Sequence, residues 1–187
     1  MCPRDNTSST AMHFIQGFLS KSVSNSVHIS AEAVDIWQEI TNVMVAKFKF
    51  PFLFQLFGVP KPLSAEVIRE GVGGYRVAHF GNAAQFKQEI VSWERHKEYR
   101  FKFSPTKNFK VGHFMNLSKG PFEILTGGYQ LVEAPDGIQL ILTSNYQLHG
   151  PLGKALHLPF RLIVFCFQRH LLRGIRHNLK LADHHTE

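Results

Sequence analysis

The sequence predicts an α+β domain in which one curved antiparallel sheet, apolar on one face, is covered by a long helix near the end of the chain. Three observations carry this. Segments that alternate apolar and polar residues, separated by turn signals, recur from Ser64 to His149. The last two of them, TGGYQLVE and IQLILTSNYQLH, flank Ala134-Pro135-Asp136-Gly137, a turn signal that makes them a hairpin of definite register. From Pro159 to about Ala182 the period changes to three and four: Phe160, Val164, Phe167, Leu171, Ile175 and Leu179 share one side, and Arg161, Arg169, Arg173, Arg176 and Lys180 take much of the rest. A sheet with one apolar face needs a cover, and this segment is long enough to supply it.

In chain order, residues 1–20 read as a loosely held leader and 184–187 as a polar tail, leaving 21–183 as one domain. SVSNSVHIS, from Ser22 to Ser30, alternates as a strand. Ser30 is then an N-cap for a short helix over Ala31 to Ile40, with Ala33, Val34, Trp37 and Ile40 on one face. In FKFPFLFQLFG, Phe48, Phe50, Phe52 and Phe54 recur at period two, but Pro51 suits the first position of a helix better than a ladder. The expected element is a second short helix, Pro51 to Phe57, ended by Gly58 and Pro60.

GVGG, from Gly71 to Gly74, is a bend, and YRVAHF with QFKQEIVSW forms a hairpin near Gly81-Asn82. For YRVAHF two registers stay open: Tyr75, Val77 and His79 inward, or Arg76, Ala78 and Phe80 inward. The turn at Glu94 to Lys97 places Phe86, Ile90 and Ser92 on the face of Tyr99, Phe101 and Phe103, with Lys87 and Glu89 outside. In the later hairpin, Glu133 opposite Ile138 sets Leu131 against Leu140 and Tyr129 against Leu142. Its inner face then carries Tyr146 and Leu148 as well, and its outer face Gln130, Gln139, Thr143, Asn145 and Gln147.

Composition narrows the function classes. A chain of 187 residues holds one ordinary core, and 17 Phe against 4 Tyr and 2 Trp favours large rings with no hydrogen bond to make, suited to a core or an apolar pocket. The two cysteines, Cys2 and Cys166, form neither a disulfide framework nor a zinc motif, and a reducing, cytoplasmic setting is expected. The 11 histidines show no metal-ligand spacing, so no metal is expected. GVGG lacks the Lys-Ser/Thr of a phosphate loop. The net charge of +7 is scattered along the chain, and in YRFKF the rings and cations fall on opposite sheet faces, where they cannot grip one nucleic-acid strand together. No nucleic acid is expected as a partner.

VHISAEAVDIWQEI, GVGGYRVAHF, FKQEIVSW, GGYQLVEAPDGIQLILTSNYQL and a closing helix ending near LKLAD resemble, in order and spacing, the SRPBCC superfamily. This is the helix-grip fold shared by the birch pollen allergen, START lipid-transfer domains and polyketide cyclases. The resemblance covers roughly residues 22–183. It implies a sheet wrapped around the terminal helix and a cavity between them, gated by the two short helices. The implied wall includes Tyr99, Phe101, Tyr129, Leu131, Leu142 and Tyr146 from the sheet and Val164, Phe167 and Leu171 from the helix. Trp37, Phe86 and Ile90 join the lining, and Phe50, Phe54 and Phe57 stand at the mouth. The implied function is binding or transport of a hydrophobic small molecule (a lipid, isoprenoid or polyketide), with no cofactor. The alternatives are a cyclase- or dehydratase-type enzyme using the same cavity, and a protein-interaction module.

For the ligand's polar end, Arg76, Tyr129 and Tyr146 are the candidates; for chemistry, Arg76, His79 and Tyr146. If the first hairpin closes around Asn82-Ala83, Arg76 and Glu89 become neighbours, either as an interior pair or as a surface one. The run LIVFCF, Leu162 to Phe167, exceeds one buried stripe, and with Arg161, Arg169 and Arg173 beside it a transient contact with an anionic membrane surface is a further expectation. Oligomeric state is not legible.

Overall fold

A computed structural model describes residues 19–46, 48–56, 59–81, 85–103, 110–111, 115–116 and 121–183; Phe57, the Asn82-Ala83 turn, residues 1–18 of the expected leader and the tail 184–187 lie outside them. The elements are β1 (Leu19–Ile29), α1 (Ala33–Thr41), β2 (Asn42–Met44), α2 (Phe52–Leu56), β3 (Pro62–Arg69), β4 (Tyr75–Phe80), β5 (Gln85–Glu94), β6 (Glu98–Phe103), β7 (Lys110–Val111), β8 (Met115–Asn116), β9 (Phe122–Ala134), β10 (Gly137–Leu148), α3 (Gly150–Ala155) and α4 (His157–Asp183). Eight strands form one antiparallel sheet in the order β1-β10-β9-β6-β5-β4-β3-β2, with β7-β8 a separate ribbon. This is the helix-grip architecture: a curved sheet, two short helices after the first strand, and a long helix closing the inner face.

The β9–β10 hairpin has the expected register. Ile138 pairs with Glu133, Leu140 with Leu131 and Leu142 with Tyr129, and Tyr129, Leu131, Leu140, Leu142, Tyr146 and Leu148 are all buried. β1 then pairs with β10 along its whole length, so the first strand lies beside the last.

Four expectations need correction. Helix α1 is capped at Glu32, not Ser30, with no side-chain cap, and it buries Ile36 with Trp37 and Ile40 while Val34 is exposed. Trp37 and Ile40 keep their place on the buried face, which is centred toward Ile36 and away from Val34. In β5 a bulge between Ile90 and Ser92 pairs Ser92 with Arg100 and Trp93 with Tyr99. Ser92 therefore turns outward, where its hydroxyl bonds Glu98, and Trp93 packs against the core. Arg76 pairs with Gln88, not Glu89, because Tyr75 takes the position opposite Glu89. Glu89 stays in water with Lys87, which avoids desolvating a carboxylate. Finally, α3 was not anticipated: Gly150 adopts a positive φ of 64° and Pro151 opens a six-residue turn of helix before α4.

Helix α4 is seated by a buried amide. Gln168 donates to the Val23 carbonyl at 3.1 Å and to Ser144 Oγ at 2.8 Å, and its Oε1 accepts from Asn25 Nδ2 at 2.8 Å. One side chain thus ties α4 to β1 and β10. Gln168→Leu takes the bond to the buried Val23 carbonyl and leaves Asn25 with its weaker bond to the Phe165 carbonyl, and is expected to lower unfolding stability by about 1–2 kcal/mol, read from urea midpoints. Further along, a Cβ on Gly174 would stand 2.9 Å from Val45 Cγ1 and 3.1 Å from the Phe48 ring. The glycine that weakens the helix locally is what lets it approach the segment after β2.

Among the described residues, no helix is long and apolar enough to cross a membrane.

Candidate functional site

Alternation in β4 turns Arg76 and Ala78 inward, and the guanidinium is buried, with Arg76 6% exposed. Arg76 Nη1 donates to Tyr99 Oη at 2.9 Å, and Tyr99 Oη donates onward to the Ile40 carbonyl of α1 at 2.7 Å. The guanidinium carbon lies 4.4 Å from the centroid of the Phe101 ring. Phe101 in turn fits because Gly127 stands opposite it on β9: a Cβ there would lie 2.7 Å from Phe101 Cε2. Glycine on one strand, a ring on the next and a cation on the ring form one chain of cause across the sheet.

Arg76 has no carboxylate partner among the described residues, whose ion pairs are His79–Glu66, Arg100–Glu98 and His149–Glu123. Its Nε–H is buried without a hydrogen-bond partner, and so is Oε1 of Gln88, its cross-strand neighbour. A buried cation with unspent hydrogen-bonding capacity is costly, and the rings and the Tyr99 and Tyr129 phenols offset only part of that cost. Burial also holds the Tyr99 and Tyr129 phenols above their ordinary pKa of 10, although the Arg76 charge and hydrogen bonding pull the other way. Both phenols stay protonated, and Tyr99 spends its proton on the Ile40 carbonyl. Glu39 on α1, hydrogen-bonded to Asn178 at 2.6 Å, has its pKa raised by burial.

The expected lining is gathered into three groups. Trp37, Phe86, Tyr99, Phe101, Tyr129, Leu131 and Leu142 pack in one cluster around Arg76, with Leu171 half-buried against it; Ile90 is buried on β5. Tyr146 lies in a second cluster with Val164, Phe122 and Phe160, and its hydroxyl is 2.9 Å from His157 Nε2. Phe50 and Phe54 form a third, stacked at 5.2 Å and packed on Phe167 and Ile163 of α4. Tyr146 is thus grouped with His157 and Phe160 and not with Arg76. His79 is turned to the outer face, 3.6 Å from Glu66.

Gln88, Trp93, Gln168 and His157 were missed as participants. For Gln88 a signal existed, since it alternates with Phe86 and Ile90, both inward. No group of three His, Cys, Asp or Glu among the described residues is placed to hold a metal. On the outer face of the sheet, a hollow of about 260 Å³ is lined by Glu98, Arg100, Thr126, Gln130, Thr143 and Asn145. Its polar groups largely satisfy one another, as in Arg100 Nη2 to Glu98 Oε2 and Asn145 Nδ2 to Thr126 Oγ1, both at 2.8 Å.

In the third cluster His170 stands edge to face with Phe50 at 5.6 Å. Burial, with Lys61 and Arg173 nearby, lowers its pKa from the ordinary 6.5. The fold therefore holds the imidazole neutral where the unfolded chain takes up a proton. The associated stability is present above pH 6.5 and is lost as the pH falls from there through the lower folded value. The thermal midpoint is expected to drop over that window, and less steeply in His170→Gln.

No protein-family model matches the chain, and no curated protein is detectably similar to it in sequence. Solved structures share its fold. A protein of unknown function from Staphylococcus aureus superposes with a TM-score of 0.60 at 9% identity, covering 90% of this chain and 99% of that one. A protein from Mesorhizobium loti gives 0.55 at 11% identity over 86% and 97%. Norcoclaurine synthase from Thalictrum flavum, in complex with dopamine and hydroxybenzaldehyde, gives 0.51 at 15% identity over 87% of each chain.

Proposed function

We propose that this chain binds a hydrophobic small molecule carrying an acidic head, with its apolar body against the inner face of the sheet and its head at Arg76. The observation that carries the reading is the buried guanidinium with no carboxylate partner among the described residues and an unspent Nε–H. A carboxylate or similar anion would supply the missing counter-charge, and the Tyr129 phenol, which stays protonated, is suited to donate to the same oxygens, while the Tyr99 proton is held by the Ile40 carbonyl. Burial of the ligand's apolar area would drive binding at about 25 cal/mol per Å², before association costs. The surroundings fit such a guest, because aromatic and aliphatic side chains pack around this one polar focus.

The test is a displacement titration with a long-chain carboxylate, the alcohol of the same chain and the corresponding amine. The carboxylate is expected to bind at least about tenfold more tightly than the alcohol, the scale of one charge-assisted hydrogen bond, with the amine weakest. Equal affinities would remove the role of Arg76, and failure of all three would remove the container.

A second reading, an enzyme of the cyclase or dehydratase kind, draws on the same convergence. A guanidinium and the protonated Tyr129 phenol can stabilise an enolate oxygen as well as a carboxylate. Under that reading a bound β-dicarbonyl probe is recovered chemically changed, and Tyr129→Phe slows the change without weakening binding.

A further inference from the structure

Helix α3, the C-cap residue that follows it and the first turns of α4 expose four leucines: Leu152 at 59%, Leu156 at 39%, Leu158 at 72% and Leu162 at 57%. On the neighbouring α2, whose Phe54 packs with Phe50 on Ile163 and Phe167, Phe52 is 75% exposed. A solvated helix corner has no use for so many uncovered large apolar side chains. The same outward stripe of α4 then changes character: after Leu158 and Leu162 come Arg169, Arg173, Arg176 and Lys180, all exposed and spaced by three, four or seven residues. From Gly150 to Leu181 there are six Lys and Arg residues and no Asp or Glu. The stripe from Leu158 to Lys180 is about 33 Å long at 1.5 Å per residue.

We propose that this surface docks on an anionic lipid bilayer, the leucine corner entering the interfacial layer and the basic shaft lying over the headgroups. The occupant follows from the order of chemistry along one stripe. A bilayer surface presents apolar depth and negative charge together, which is what an apolar tip continued by a cationic shaft requires. A nucleic acid would meet the arginines and lysine but leave Leu158 and Leu162 in water. A second copy would set six cations against six, with no acid between Gly150 and Leu181 on either copy. The proposal does not depend on the ligand's identity.

The experiment is co-sedimentation of the full chain with phosphatidylcholine vesicles, with and without about a third phosphatidylserine, at low and high salt. Wild type is expected to sediment with the anionic vesicles at low salt and to be released by salt or by removal of the phosphatidylserine. Leu158→Ser with Leu162→Ser should weaken the partition by about tenfold or more, and Leu158→Phe with Leu162→Phe should restore it. Arg169→Gln with Arg173→Gln should weaken it about 25-fold, roughly fivefold for each cation. The proposal is overturned by equal binding to neutral vesicles, by no binding to either, or by binding indifferent to the leucines and matched by an RNA of equal charge. It is also overturned if wild type is a dimer that the leucine-to-serine pair makes monomeric.

Discussion

Arg76→Met is expected to weaken binding of a long-chain carboxylate by about a hundredfold, the ~3 kcal/mol of a charge-assisted hydrogen bond in a dry site, while leaving the thermal midpoint unchanged or higher. The two halves of this expectation come from one observation. A guanidinium that is 6% exposed and has no carboxylate partner among the described residues is desolvated without full compensation. Replacing such a charge by an apolar side chain of similar length is neutral or stabilising, because no charge is left behind unpaired. Tyr99 and Tyr129 each lose one donor, but Tyr99 keeps its donation to the Ile40 carbonyl, and the methionine still covers the Phe101 ring. Arg76→Lys keeps the charge but not the planar fork, and recovers part of the affinity. A large stability loss with unchanged binding would make Arg76 a structural residue.

Gly127→Val is expected to destabilise the fold by about 3 kcal/mol and to weaken the same ligand with it. The backbone at β9 would accept a β-branched residue, but the added carbons meet the Phe101 ring at once. Phe101 is hemmed in by Tyr99 at 5.8 Å, Phe103 at 5.5 Å and Tyr129 at 6.4 Å between ring centroids, so it cannot yield without unseating its neighbours. Movement of that ring takes away the surface under the guanidinium. Gly127→Ala should produce a smaller loss in the same direction, read as unfolding midpoint and carboxylate affinity on the same samples.

The parts of the fold that were legible are those where a local signal and the pattern of burial agree. Ala134-Pro135-Asp136-Gly137 sets a turn, and the alternation on both sides of it allows only one register, so β9 and β10 could be paired residue by residue. The three-and-four recurrence from Phe160 to Leu179 likewise identifies α4, whose buried side carries Phe160, Val164, Ile175 and Leu179. Strand β4 was ambiguous because each of its faces mixes apolar and titratable residues: Tyr75, Val77 and His79 against Arg76, Ala78 and Phe80. The bulge after Ile90 inserts a residue without changing the composition of β5, and so exchanged Ser92 for Trp93 on the inner face. α3 is too short for a period to show.

The candidate site was legible only residue by residue. Arg76, Tyr99 and Tyr129 could be nominated, but their convergence depends on β4 and β9 being brought to opposite sides of β5 and β6, which no local pattern states. Tyr146 has the same alternation as Tyr129 and still belongs elsewhere, because the helix turn at His157 and Phe160 meets it first. The phenylalanine-rich stretch divides in the same way: Phe50 and Phe54 seat α2 on α4, whereas Phe52 faces outward.

The central claim, an acidic amphiphile held by this chain, is tested most directly by native mass spectrometry of protein purified from its own host, followed by organic extraction. One stoichiometric species with an apolar body and a carboxylate or similar anionic head is the predicted result. Protein that flies empty, and that also takes up no apolar fluorescent probe or added long-chain carboxylate, would contradict it.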